Sequence, residues 1–426
     1  MEDSARPWPR RLSEALRASP PLLWAFIYFF FLLSGYYVLR PVRDAMGAVG
    51  NLQLLFTGTF VSMLLLQPVY GALVSHFPRR VFLPLVYLVF IACLVGFWLL
   101  FGHGPAWVGN VFFVWVAVFN LFAVSVFWSF MADIFSDAEA KRLYGYILAG
   151  GTCGGFLGPA ITKALVDRIG VANLMLVSAG MLAVCLLCIL RLQPWAKWRE
   201  QAGAPGEMEQ PIGGAILEGL RLIVRQPLLR ALALLMFFGV GDGTLLYNEQ
   251  AAIARTFFDS AEARTDYFAS IDLAINALTL AVQVLLTRFL LTRFTLGTVL
   301  LIAPVVVLLG FALLTASPLP LLVAVVQIGL RAGEFSLLKP ARETIYTRVD
   351  PEWRYKAKAA IDTVVYRGGD LAFVWAHKFL AMGGSLVVFG VGTLVAAGLC
   401  FSAWRVGRVQ ASFPTTTRLE VPLAAS

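Results

Sequence analysis

Apolar residues run through this chain in blocks of about twenty, the length of helix that crosses ~30 Å of hydrocarbon. The blocks are continuous and lack the period of two that a membrane barrel strand shows. Lipid offers the backbone no hydrogen-bond partners, so each block is expected to satisfy its own backbone as an α-helix. Twelve spans are read this way, at 22–46, 51–74, 81–101, 107–134, 143–165, 171–191, 227–247, 265–291, 296–316, 318–338, 357–382 and 384–405. The longest interval, 192–226, divides the chain into a six-helix half at 1–191 and another at 227–405, followed by a tail at 406–426. The fold expected is all-α, a polytopic membrane protein.

The interval at 192–226 has its own pattern. It opens on Pro194, Trp195, Lys197, Trp198 and Arg199 and passes through Gly203, Pro205, Gly206 and Pro211. From Ala215 to Val224, apolar Ile216, Leu217, Leu220 and Ile223 recur near helical spacing. This predicts a linker carrying an amphipathic helix on the inner membrane surface. The first span is too long for the apolar core of a signal peptide and no small-residue cleavage site follows it, so it is expected to be retained.

Composition agrees, with 59% hydrophobic and 14% charged residues against roughly 25% charged in soluble proteins. The net charge of +9 resembles a nucleic-acid signal, but its distribution points elsewhere. Roughly 25 of the 34 Lys and Arg fall on one side if the N-terminus is cytoplasmic. Arg6, Arg10, Arg11 and Arg17 begin that side. The bias places the N-terminus, linker and C-terminus in the cytoplasm, with a bacterial inner membrane as the expected site and no nucleic-acid partner. Cys93, Cys153, Cys185, Cys188 and Cys400 all lie in apolar spans and read as packing residues. His76, His103 and His377 are scattered. No metal or cofactor is expected, and no Walker A loop, HExxH or GxSxG occurs, so the chain is not expected to be an enzyme.

Charge inside a span is costly and marks a functional position by default. The first span ends on Tyr37, Arg40, Pro41, Arg43 and Asp44, with Arg40 and Arg43 three apart on one helix face. The ordinary alternative is a pair of arginines reaching the outer interface, which the positive-inside bias disfavours. Asp133 ends the fourth span, where simple solvation is the competing reading. Gly150, Gly151, Gly154, Gly155, Gly158 and Pro159 in the fifth span read as close helix packing or as a gating bend. The second half carries Asp242, Tyr247-Asn248-Glu249-Gln250, Asp272, Asn276, Arg331, Glu334, Lys339, Arg342 and Glu343. The eleventh span adds Lys358, Asp362, Tyr366, Arg367, Asp370, His377 and Lys378. A lipid-facing helix does not tolerate that density, so a polar pathway is expected there. Asp137-x-Glu139-x-Lys141 and Asp350-x-Glu352-x-Arg354, each followed by paired glycines, hint at a repeat between the halves.

Two resemblances follow from these residues. Gly71-x-Leu73-x-Ser75-His76-x-Pro78-Arg79-Arg80, between the second and third spans, resembles the major facilitator loop signature, with Ser75 and Pro78 departing from it. Gly154-x-x-x-Gly158-Pro159 resembles that superfamily's antiporter motif. Three further stretches resemble the ATP/ADP antiporter family of plastids and intracellular bacteria. These are Leu39-Arg40-Pro41-Val42-Arg43-Asp44, Phe127-Trp128 through Asp133 to Glu139-Ala140-Lys141-Arg142, and Ser336-Leu337 through Glu343 to Lys358-Ala359-Ala360-Ile361-Asp362. The resemblance implies a major facilitator fold and carries that family's functional positions onto Arg43, Asp133 and Lys358. Glu249 stands two residues early for the fourth.

The expected function is therefore a carrier that exchanges anionic solutes by alternating access, with nucleotides such as ATP and ADP the favoured class. Arg40, Arg43, Asp44, Asp133, Glu249, Arg331, Lys358, Asp362, Arg367 and Asp370 would bind the substrate. Gly71, Arg79, Arg80, Gly154, Gly158 and Pro159 would serve the loop and gate. Exchange has an expected electrostatic reason, since an empty site would leave cations unneutralised at membrane depth. The alternative is a proton-coupled carrier of a lipophilic or other small solute, relaying protons through Asp44, Asp133, Asp242, Asp272, Asp362 and Asp370. The partners expected are a small molecule and the bilayer, and the sequence specifies no oligomeric state.

Overall fold

A computed structural model describes residues 20–76, 79–101, 107–201, 213–346, 357–358 and 360–411. Helices account for nearly all of them, and the described residues contain no β-strand. Each of the twelve expected spans coincides with a helix. They run α1 Pro21–Val49, α2 Leu52–His76, α3 Arg79–Phe101 and α4 Trp107–Ile134. A continuous stretch Asp137–Gln201 follows, broken at Gly170, where φ is 77°. That break separates α5 (137–169) from α6 (171–201), and positive φ there suits glycine, which has no Cβ to clash. The linker helix α7 is Gly213–Arg225, followed by α8 Pro227–Phe257 and α9 Ala261–Arg293. The chain closes with α10 Leu296–Ala316, α11 Pro320–Tyr346, α12 (361–380) and α13 Ser385–Ala411. The arginines of the N-terminal lead-in and most of the tail after 405 lie outside the described residues.

Two helices outrun the spans expected for them. α6 continues past 191 to Gln201, carrying Trp195, Lys197 and Trp198. Polar residues do not stop a helix that has left the hydrocarbon. α8 continues past 247 to Phe257, and Asn248, Glu249 and Gln250 are all buried within it. Those polar residues meet protein, not water, so they do not end the helix.

The chain forms two compact units. The first comprises Met1–Pro211 with Asn248–Ala277, and the second Ile212–Tyr247 with Leu278–Ser426. α8 and α9 are thus each divided between the units.

In the first unit the core is aromatic. Phe29 stacks on Phe127 at 4.4 Å, and Tyr28 meets Phe127 edge-on at 4.8 Å. The Tyr28 and Tyr87 hydroxyls join α1 to α3 at 2.7 Å. α5 lies directly on α1 because its glycines leave room. A methyl at Gly154 would collide with the Phe30 carbonyl, and one at Gly158 would lie 2.8 Å from the Ser34 carbonyl. Small residues of this kind let membrane helices approach backbone to backbone. The Thr162 hydroxyl then donates to the Val38 carbonyl at 3.1 Å, and Ser178 of α6 to the Gly35 carbonyl at 3.0 Å. α5 begins with a reciprocal cap, in which the Ser136 amide and hydroxyl both donate to Glu139 at 2.8 Å.

The second unit has an aliphatic core from α8, α10 and α13, including Leu232, Leu235, Leu300 and Ala403. Its helices are less regular. π turns interrupt α9 at Gln283–Thr287, α11 at Glu334–Leu338 and the start of α12 at Ile361–Val365. Two of these turns meet. The Gln283 amide donates to the Phe335 carbonyl at 3.3 Å and the Thr287 hydroxyl to the Ser336 carbonyl at 2.9 Å. Side chains of one widened turn supply donors to backbone carbonyls of the other, and turns of this kind concentrate at functional sites.

Candidate functional site

In the first unit the charges at the end of α1 converge on a single group. Pro41 is buried inside this helix, between the two arginines. Arg43 Nε lies 3.1 Å from one oxygen of Asp44, and Arg40 Nε lies 3.9 Å from the other. Arg40 also reaches Asp272 of α9 at 3.5 Å. Asp44 and Asp272 are nearly inaccessible, at 5% and 6% side-chain exposure, whereas Arg40 and Arg43 retain 20% and 17%. The carboxylates are therefore the buried anchors, and the guanidinium groups present the accessible edge. Aromatic faces border that edge, with Arg43 4.5 Å from the Phe113 ring and Arg40 5.6 Å from Tyr37. Two arginines and two aspartates balance in formal charge, so each cation in this group has a carboxylate counterpart.

The other expected residues of this unit lie in different settings. Asp133 is half-buried one residue before α4 ends. Glu249 is buried in α8. Gly154 and Gly158 form the α1–α5 contact, and Pro159 follows within α5. Gly71 falls in α2, and Arg79 and Arg80 open α3. Their side chains lie outside the described ones.

In the second unit, charge is arranged in short pairs along α11 and α12. Arg331 meets Glu334 at 3.2 Å, three residues on. Arg367 meets Asp370 at 3.6 Å, and Thr244 of α8 donates to the other Asp370 oxygen at 2.8 Å. Arg331 approaches α8 closely, since a Cβ on Gly243 would stand 3.5 Å from its guanidinium. Lys358 pairs with Glu343 at 2.6 Å. Its i, i+4 neighbour Asp362 is exposed and sits in the π turn Ile361–Val365, which changes the register that would align the two. Lys358 also lies 5.6 Å from the Tyr346 ring.

Sequence reasoning placed neither Thr244 nor the glycine beneath Arg331 in the site. Nothing marks them, because their roles come from approach by another helix. One acidic residue stands apart. Asp242, flanked by Gly241 and Gly243 in α8, is wholly buried, and neither carboxylate oxygen has a hydrogen-bond partner among the described residues.

Comparison with known proteins shows the family and the fold. The family described as the Major Facilitator Superfamily matches residues 22–371. No curated protein sequence matches the chain. Among solved structures, a mutant form of the nucleoside transporter NupG is similar with a TM-score of 0.63 at 13% identity, over 91% of this chain and 99% of its own. A bacterial homologue of the human lysosomal transporter Spinster, inward-facing and unoccupied, matches with a TM-score of 0.56 at 16% identity, over 96% and 98%. A D-xylose–proton symporter matches with a TM-score of 0.61 at 14% identity, over 89% and 96%.

Proposed function

This chain belongs to the Major Facilitator Superfamily, and from that premise we propose that it carries a small anionic solute across the bilayer by alternating access. Nucleotides are the favoured class, on the resemblance to the ATP/ADP antiporters. The supporting observation is the arginine pair at the end of α1. Arg40 is held by carboxylates at 3.5 and 3.9 Å, longer than the 2.7–2.9 Å of a strong charge-assisted hydrogen bond, so about half an ångström or more remains to be gained. A phosphate or carboxylate on the ligand would make shorter, bidentate bonds to the accessible guanidinium edges. Tyr37, half-buried beside Arg40, offers an aromatic ring for a base.

The two six-helix halves, 1–191 and 227–405, are taken as the moving bodies. In the second unit, Arg331, Lys358 and Arg367 each already stand beside a carboxylate. That pairing alters one expectation. The empty carrier is not left with bare cations, so exchange rests on the family resemblance and not on an electrostatic bar to empty return. Reconstitution in liposomes loaded with ADP decides both points. Labelled ATP uptake that depends on internal ADP supports exchange. Uptake indifferent to internal ADP removes exchange, and no uptake of any nucleotide removes the substrate class.

Asp242 supports a second reading, a proton-coupled carrier. An ionised carboxylate buried without a partner costs several kcal/mol, roughly, and a proton is the simplest ligand that relieves the cost. Under this reading, collapsing the proton gradient abolishes uphill uptake, and Asp242→Asn abolishes it with the gradient intact.

A further inference from the structure

A cavity inside the second unit has a chemistry that the substrate site does not use. α8, α10, α11 and α13 enclose it, with Leu235, Val240, Val307, Leu330 and Leu399 among its apolar walls. It is narrow, about 40 Å³. One wall runs along α11 from Leu330 to Arg342, roughly 18 Å of helix. Leu330, Glu334, Leu338 and Arg342 line that wall at intervals of four. In an α-helix of 3.6 residues per turn, such a series drifts round the surface by about 40° at each step. The π turn Glu334–Leu338 takes up the excess and keeps the four on one face.

The end of this wall that the charge bias assigns to the cytoplasm is positive. Lys339 is exposed there and Arg342 is half-buried, and both reach the cavity. Neighbouring carboxylates are committed elsewhere, Glu334 to Arg331 at 3.2 Å and Glu343 to Lys358 at 2.6 Å. Among the described residues, Asp362 lies within electrostatic reach of Arg342 and Lys339 without forming an ion pair with either. Arg342 donates one N–H to the Met236 sulfur at 3.2 Å, a weak acceptor. Its buried Nε has no hydrogen-bond partner among the described residues. About one helical turn on, the Tyr346 hydroxyl is likewise buried without one. Arg342 and Tyr346 thus keep unspent donors, and Lys339 adds charge, beside an apolar slot.

We propose that Lys339, Arg342 and Tyr346 bind the phosphate of an anionic phospholipid of the inner leaflet, with part of one acyl chain in the cavity beyond them. A lipid tail runs from its headgroup inwards along the helices, the direction of the wall from Arg342 to Leu330. A free phosphate would use the cationic end and leave the apolar walls without a role. Chain buried against Leu235, Val307 and Leu399 adds affinity that an exposed charge does not. Each basic residue near the headgroups adds about a fivefold preference for anionic lipid. Such a site needs only that the chain spans a bilayer, so a failed nucleotide assay leaves it standing.

Native mass spectrometry of the full chain, released without nucleotide from nanodiscs of equal phosphatidylglycerol and phosphatidylcholine, tests this. The parent should retain phosphatidylglycerol in about twentyfold excess, the worth of two basic residues. Lys339→Gln and Arg342→Gln should each cut that excess about fivefold. Arg225→Gln, on the exposed side of α7, should leave it within about twofold, because a built site does not respond to charge elsewhere on the same membrane face. Inorganic phosphate in the buffer should not displace the lipid. If Arg342→Gln does not fold, Lys339→Gln, at an exposed position, carries the test. Equal retention of both lipids by the parent, a loss in Arg225→Gln as large as in Lys339→Gln, or displacement by inorganic phosphate would overturn the lipid site.

Discussion

The two units pair their buried and half-buried cations differently. In the first, the arginines of α1 find partners within their own turn and 232 positions away at Asp272, on helices otherwise packed by aromatics and glycine. In the second, pairs form three residues apart on α11 and α12, on helices interrupted by π turns. One arrangement joins separate helices through charge; the other places its arginine pairs within single helices, with Lys358–Glu343 and Thr244–Asp370 reaching between helices, and leaves their backbones irregular. The lesson is mechanical. Breaking a charge in the first unit should disturb how helices associate, whereas breaking one in the second should disturb a helix locally and change transport with little change in stability.

The largest effect is expected where the first unit admits no adjustment. Gly154→Val sets a branched side chain against the Phe30 carbonyl, and backbone cannot yield as a side chain does. We expect a loss of about 3 kcal/mol or more, read as a large fall in thermal midpoint in detergent. Next is Asp272→Ala, which removes the distant partner of Arg40. Leaving a largely buried cation short of a partner costs about 3 kcal/mol, visible in the same melting experiment and accompanied by loss of flux. If Glu334→Ala in the second unit destabilises as much, the contrast between the units fails. Our expectation for Glu334→Ala is about 1 kcal/mol, because a half-exposed local pair contributes little, together with reduced transport.

Thr287→Val sharpens the comparison from the other side. It removes the hydroxyl that reaches the Ser336 carbonyl and should cost about 1 kcal/mol. Because it acts on the coupled π turns, transport should slow more than stability alone explains. Ser136→Ala is the smallest, a lost helix cap worth about 1 kcal/mol or less, with transport retained.

These contrasts also show what the sequence made legible. Runs of about twenty apolar residues coincide with helices at all twelve expected spans because lipid imposes one length and one backbone solution. Ends were harder wherever polar residues stay inside the protein, as Asn248–Gln250 do in α8. The π turns had no signal, since five residues such as Glu334–Leu338 carry no mark of the wider turn they adopt. Charged positions stood out against the apolar background, but their partners did not. Lys358 and Asp362 are four apart in sequence, yet Lys358 pairs with Glu343, fifteen residues earlier. Lys163, in a span read mainly for its glycines, turned out to hold α9. Pairing between helices depends on tertiary approach, which one sequence does not record.

The account's central claim is that the accessible edges of Arg40 and Arg43 bind an anionic ligand in competition with Asp44 and Asp272. Thermal unfolding of purified protein with and without ATP tests it most directly, because a ligand that binds the folded state alone stabilises it by about 2.7 kcal/mol at one hundred times its dissociation constant. The account predicts a clear rise in midpoint for the parent chain and none for Arg43→Ala, a variant that still melts cooperatively. An equal rise in both, or no rise in the parent with any nucleotide or other phosphate, would contradict it.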